Sequence, residues 1–131
     1  EWEEMRAAAE GALAGLGLAD AAHLHPGQLP PGMQRLVEIA RAIVGRPSVL
    51  LLDEPAAGLN NSETRDLTRT LRGLAAPDLV MVVVEHDMDL VMSICDRIYV
   101  LNFGAFVACG SPQEIRNDPE VVRIYLGSDD D

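Results

Sequence analysis

VLLLDEPAAGLN, residues 49–60, decides how the rest of the chain is read. Its first four residues form a continuous apolar run, bounded by Pro47 and Pro55 and too short for a helix. A run apolar on both faces suits a central strand of a parallel sheet. It stops abruptly at Asp53-Glu54. A second apolar run, residues 79–84, stops as abruptly at Glu85-His86-Asp87. In open α/β sheets, ligands bind beyond the carboxyl ends of the strands. If the two strands are neighbours, their polar clusters meet on one edge. Taken singly, each of these residues reads equally well as a surface charge at a strand end; the two clusters together read as a site. A strand-terminal Asp followed by Glu suits magnesium-dependent phosphate hydrolysis, the first carboxylate holding the hydrated metal and the second orienting water. A histidine on the adjacent strand is placed to donate to a phosphate.

Around these strands the patterning is helical. Residues 1–18 are rich in Ala, Glu and Leu and read as a helix that ends near Gly15 to Gly17. Residues 19–29 read as a turn or loop. Its His23 and His25 lack further ligands nearby and read as solvated. Leu36, Ile39, Ala40 and Ile43 follow the i, i+3, i+4, i+7 template of a buried stripe, with Gln34, Glu38 and Arg41 opposite. That helix opens with LPPGM, residues 29–33, which holds no Ser, Thr, Asp or Asn to cap it. Asn60 and Glu63 form a capping-box pattern, followed by Leu67, Leu71 and Leu74 on one face. Met88, Val91 and Ile94 suggest a short helix, and RIYVLNFGAFVACG two strands joined near Gly104. Ser111-Pro112 with Glu114 is a second capping box, and Asp118-Pro119 starts a last helix, expected to stop at Gly127 before a frayed SDDD tail. Strands of the buried type alternating with helices spell α/β with a parallel sheet.

Composition bounds the partners. The 131 residues carry a formal net charge of -11, and every one of the 10 basic residues is arginine. Nucleic acid as the main partner needs a positive footprint that this balance does not supply. A nucleotide needs only a local site. Cys95 and Cys109 fit neither a disulfide framework nor a paired metal motif and read as reduced thiols. No apolar run approaches the length of a membrane span, so direct membrane insertion is not expected.

Residues 29–60, LPPGMQRLVEIARAIVGRPSVLLLDEPAAGLN, followed by VMVVVEHDMDLV, resemble the ATP-binding subunits of ABC transporters. LLDEP is similar to the family's Walker B strand with its catalytic Glu, AAGLN to its D-loop and EHD to its switch-histidine loop. LPPGM stands where the signature Leu-Ser-Gly-Gly-Gln belongs. DEPAAGLN, EHDMDLVM, DRIYVLNFG and EIRNDPEVVRIYLG resemble most the branched-chain amino acid importer subgroup. The resemblance covers roughly residues 13–127.

The resemblance implies a role for each matching residue. Asp53 would hold Mg²⁺ through water, Glu54 would polarise the attacking water, and His86 would contact the γ-phosphate of ATP. Ala57, Gly58, Leu59 and Asn60 would face a second ATP-binding subunit, in a homo- or heterodimer. Leu29, Pro30, Pro31, Gly32, Met33 and Gln34 would form the signature that meets ATP bound by that partner, at the positive end of a helix. Membrane-spanning permease subunits would be the other partners, with the protein in the cytoplasm, peripheral to the inner face of the plasma membrane.

The chain departs from the family at several positions. Pro30 replaces the signature Ser and Pro31 the first Gly, so neither supplies an N–H. Met33 replaces Gln, and Asn60 the common D-loop Asp. The lysine-bearing phosphate loop G-x-x-x-x-G-K-[ST] has no counterpart, nor does the Q-loop glutamine. The expected fold is therefore the C-terminal half of an ABC-type P-loop NTPase domain. Residues 1–45 would end the helical subdomain, and residues 46–131 would form the C-terminal part of the ATPase core. Such a half would expose sheet edges and apolar faces and would be inactive alone. The alternatives are a non-transport ABC ATPase, for instance one acting in DNA repair, or a non-catalytic ABC-like interaction module. The first would carry a long coiled-coil insertion before the signature; the degenerate signature gives weight to the second.

Overall fold

The computed structural model describes residues 1–126. The expected stop at Gly127 and the SDDD tail lie outside these residues. The chain divides into two compact units, residues 1–86 and the residues from Asp87 onward.

The first unit opens with α1 (Trp2–Gly15), an Ala-rich helix with no buried residue. It closes in a Schellman arrangement: Leu18 N–H donates to Leu13 O at 2.9 Å and Gly17 N–H to Ala14 O at 3.1 Å. Gly17 stands at φ 74°, the left-handed conformation this closure requires. The turn drops Leu16 and Leu18 into the interior. Two short 3₁₀ turns, Ala19–Ala21 and Pro26–Gln28, lead to α2 (Pro31–Ile43). The stripe predicted from spacing is the inward one: Ile39 and Ala40 are buried, Leu36 and Ile43 half-buried, and Gln34, Glu38 and Arg41 exposed. After β1 (Val49–Asp53) comes α3 (Asn61–Leu74), whose Leu67 and Leu71 are buried. The Asn60 side chain accepts from the N–H groups of Ser62 and Glu63, as its capping pattern predicts.

Strand β2 (Val80–Val84) pairs with β1 in parallel, Val49 against Val80 through Asp53 against Val84. The crossover through α3 makes the parallel pairing possible. Here the strands differ from the expectation of a strand covered on both sides and agree with that of exposed apolar faces in half a domain. Leu50 is buried and Leu52, Met81 and Val83 are half-buried, whereas Val49, Leu51, Val80, Val82 and Val84 are exposed, Leu51 by 72%. One face of a two-stranded sheet is therefore bare. Its composition is that of an interior strand, but no element among the described residues covers it.

The second unit is a helix and hairpin. α4 (Met88–Ile94) begins at Asp87, whose carboxylate accepts from Leu90 N–H at 3.0 Å. β3 (Ile98–Asn102) and β4 (Ala105–Gly110) form an antiparallel hairpin with a register shift between Val100 and Leu101. Its two-residue turn holds Phe103 at φ 48°, fully exposed. α5 (Pro112–Asn117) carries the predicted Ser111–Glu114 capping box. α6 (Pro119–Val121) starts at Asp118, which caps it through Glu120 and Val121 N–H, and runs on as a wider turn over Val122–Leu126. Val91, Ile98, Val100, Ala108, Ile115 and Val121 form the core of this unit. Both cysteines are unbridged, and burial pushes the Cys95 thiol up.

The bare face gives a prediction. In the 131-residue chain, Leu51→Ser should change unfolding stability by less than about 0.5 kcal/mol, as for other exposed positions. In a longer chain whose additional residues cover the face, the same change should cost about 2 kcal/mol, the worth of a buried Leu side chain. Urea unfolding of both forms measures the difference.

Candidate functional site

The β1–β2 register builds the site. With Asp53 opposite Val84, the residues that follow each strand emerge side by side. The ladder continues one step further, Glu54 N–H donating to Val84 O at 2.7 Å. Beyond that bond the chain turns sharply. Glu54 adopts φ 46°, a left-handed conformation that a residue with a Cβ occupies at a cost of about 1–2 kcal/mol. Strain of this kind gathers at functional sites. The turn brings Glu54 Oε1 to 3.9 Å from His86 Nδ1, with both side chains more than half exposed. The Asp53 side chain is exposed as well and makes no hydrogen bond or ion pair among the described residues. The structure thus brings together the three residues singled out at the strand ends. A shallow cleft of about 200 Å³ beside Asp53 is lined by Arg35, Glu38, Ile39 and Ala42 of α2 and by Leu51, Leu52 and Pro55.

The loop after Glu54 is held from two sides. Glu85, half-buried at the end of β2, accepts from Ala56 N–H at 2.8 Å and from His86 N–H at 3.1 Å. One carboxylate therefore spans the start of the loop and the histidine. Ala57 and Gly58 are exposed, with Gly58 at φ 78°, and Leu59 is half-buried. The loop ends at Asn60, whose N–H donates to Glu63 Oε2 at 3.0 Å.

The entrance to α2 lacks a side-chain cap of its own, as LPPGM predicts. Pro30 occupies the N-cap position with no side-chain bond of its own, and Pro31 is the first helical residue. However, Gly32 N–H donates to Glu63 Oε1 at 3.2 Å, so a carboxylate from α3 already sits at this positive helix end. Gln34 folds back, its Nε2 donating to Leu29 O at 2.8 Å, while its N–H reaches Pro30 O at 3.0 Å. Leu29 is buried and Met33 half-buried. Glu85 stands in the strand-end cluster and Glu63 in the capping box, but the sequence gives neither its long-range partner, which lies 29 and 31 positions away respectively, beyond any local pattern. The capping-box motif located Glu63, but it accounts for only one of its two oxygens. Asp87, grouped with the strand-end cluster, serves as the α4 cap.

This arrangement has relatives. A family model described as ABC transporter matches residues 2–57, and one described as branched-chain amino acid ATP-binding cassette transporter matches residues 107–131. The high-affinity branched-chain amino acid transport ATP-binding protein LivG of Salmonella typhimurium is 49% identical over 113 residues, 86% of this chain and 44% of LivG. BraF of Pseudomonas aeruginosa, named in the same terms, is 47% identical over the same shares. Among solved structures, the ATP-binding cassette MJ1267 of an ABC transporter, in its ADP conformation, superposes with a TM-score of 0.84 at 32% identity, over 95% of this chain and 50% of that one. The chain belongs to the family of ABC transporter ATP-binding proteins and has the fold of part of that α/β ATPase domain. Within the family it matches the branched-chain amino acid group. It spans about half the length of the curated relatives it matches.

The left-handed Glu54 makes a prediction. Glu54→Gly removes the Cβ penalty and adds unfolded-state entropy, so the balance should lie between neutral and about 1 kcal/mol stabilising. Urea midpoints of the two forms measure it. A loss above about 1 kcal/mol would show that contacts of the Glu54 side chain outweigh its backbone strain.

Proposed function

We propose that this chain supplies the hydrolytic strand, D-loop and signature of an ATP-hydrolysing motor subunit of an ABC importer, with branched-chain amino acids as the transported class. The observation that carries this reading is the β1–β2 register, which sets Asp53 and Glu54 beside His86 at one sheet edge. The substrate class rests on the LivG and BraF relatives. In this reading, residues 1–45 close the helical subdomain and residues 46–131 belong to the ATPase core. The phosphate loop comes from an N-terminal half of the kind that the relatives' length allows.

The residues divide the work as follows. Glu54 accepts the proton side of the attacking water and orients it toward the γ-phosphate of ATP. His86 donates to that phosphate and is steadied through Glu85, which holds its amide. Asp53 fits Mg²⁺: its carboxylate is an exposed oxygen donor without a partner among the described residues, and Mg²⁺ is commonly bound by one or two carboxylates through waters together with substrate phosphates. When bound, Mg²⁺ supplies charge neutralisation on the phosphates. Leu29, Pro30, Pro31, Gly32, Met33 and Gln34 face the ATP of a second subunit, and Ala57, Gly58, Leu59 and Asn60 face that subunit's loop. Leu29 is buried beneath the entrance, so its share is to hold the entrance in shape. Neither proline offers an N–H, and Gly32 N–H and Gln34 N–H already donate to Glu63 and to Pro30 O, which leaves the contact to the positive end of α2 itself. The remaining partners are membrane-spanning permease subunits, and the site of action is the cytoplasmic face of the plasma membrane. No helix among the described residues is long and apolar enough to cross a membrane. A half lacking the phosphate loop hydrolyses nothing alone.

In the subunit joined to its N-terminal half, Glu54→Gln should abolish turnover, retain ATP and shift gel filtration toward a dimer. If both forms elute as monomers with Mg-ATP, the two-subunit reading is wrong. Pro30→Ser should raise the ATPase rate by restoring a hydroxyl donor toward the partner's phosphate, by up to about tenfold for one hydrogen bond. An unchanged rate would show that this donor does not limit turnover.

A further inference from the structure

The Glu63 carboxylate joins two segments that the proposed function uses separately. Oε2 accepts from Asn60 N–H, the last residue of the D-loop, at 3.0 Å. Oε1 accepts from Gly32 N–H, in the first turn of the signature helix, at 3.2 Å. The first bond alone would be an ordinary capping box. The second reaches across 31 positions to a different helix.

The packing around Gly32 agrees independently. A Cβ built on Gly32 would stand 3.1 Å from Glu63 Cγ, 3.2 Å from its Cβ and 3.3 Å from its Cδ. All three are tighter than ordinary van der Waals contact. Gly32 therefore lets the Glu63 stem lie directly against the backbone of α2. This gives the glycine a reason within a single chain, beside any approach of a nucleotide.

The other end of the same loop is tied by Glu85, between Ala56 and His86. Residues 56–60 are thus held at their start to the histidine and at their end to the signature entrance.

We propose that Glu63 is a positioning residue that fastens the D-loop to the entrance of the signature helix, so that the two segments facing a partner subunit share one geometry. Resting on the ATPase reading above, the proposal adds a physical link from His86 through residues 56–60 to Gly32. Glu63 itself touches no reacting atom. Its effect must therefore fall on turnover, which needs the assembled two-subunit site, and not on nucleotide binding to one subunit.

The test uses the subunit joined to its N-terminal half, with Mg-ADP affinity measured on the isolated subunit and kcat measured under Mg-ATP. Glu63→Ala should lower kcat about 10- to 100-fold, the range expected when a catalytic part is displaced by about an ångström. Mg-ADP affinity should stay within about twofold, well below that effect. Glu63→Gln keeps a carbonyl acceptor and a capping-box side chain, so it should recover a clear part of the lost rate. Two results would overturn the proposal. One is wild-type kcat in Glu63→Ala. The other is an equal loss of kcat and Mg-ADP affinity that Glu63→Gln does not relieve, which would mark a general structural role. Absence of ATPase activity in the wild-type subunit would instead overturn the ATPase reading, and the proposal with it.

Discussion

The parallel register of β1 against β2 is the constraint on which the candidate site depends. Asp53 lies opposite Val84, and Glu54 N–H extends the ladder to Val84 O. A slip of one residue would turn every side chain on one strand to the opposite face. It would send Asp53 to the covered side and separate Glu54 from His86. The register is held by Leu50, Leu52, Met81 and Val83, which share the covered face. The apolar composition of the strands thus secures the placement of the polar residues that follow them.

The same strands explain the bare face. Val49, Leu51, Val80, Val82 and Val84 have the composition of an interior surface and are exposed. Each apolar side chain of this size gains roughly 1.5–3 kcal/mol when buried. A covering layer would therefore add to stability on the scale of a whole domain's margin. This matches the proposal that a further half of the domain completes the sheet.

Much of this was legible before any coordinates. The i, i+3, i+4 spacing of Leu36, Ile39, Ala40 and Ile43 located the inward stripe of α2, and the Asn60–Glu63 and Ser111–Glu114 patterns located two helix starts. Asp53, Glu54 and His86 were legible because polar residues ending apolar runs stand out. Three features were not. The left-handed Glu54 leaves no mark in residue type, because its conformation comes from the turn after the strand. The bonds of Glu85 to Ala56 and of Glu63 to Gly32 are tertiary, and local periodicity carries no information about them. Exposed apolar faces were expected of half a domain, but which face of β1 is bare was hidden, because an apolar run carries no mark of the side its cover comes from. The LPPGM entrance lacks a local cap, as its residues indicate, and the carboxylate beside Gly32 comes from another helix.

In the proposed account, a complete site draws Glu54 from one subunit and the Gly32 entrance from the other. Mixing two disabled subunits tests this directly. One carries Glu54→Gln with an intact entrance, and the other carries Gly32→Asp with an intact Glu54. Each alone should be inactive. A mixed dimer holds one site with both defects and one site with neither. The account predicts that ATP hydrolysis returns on mixing. A mixture no more active than either subunit alone, with mixed dimers shown to form, would contradict it.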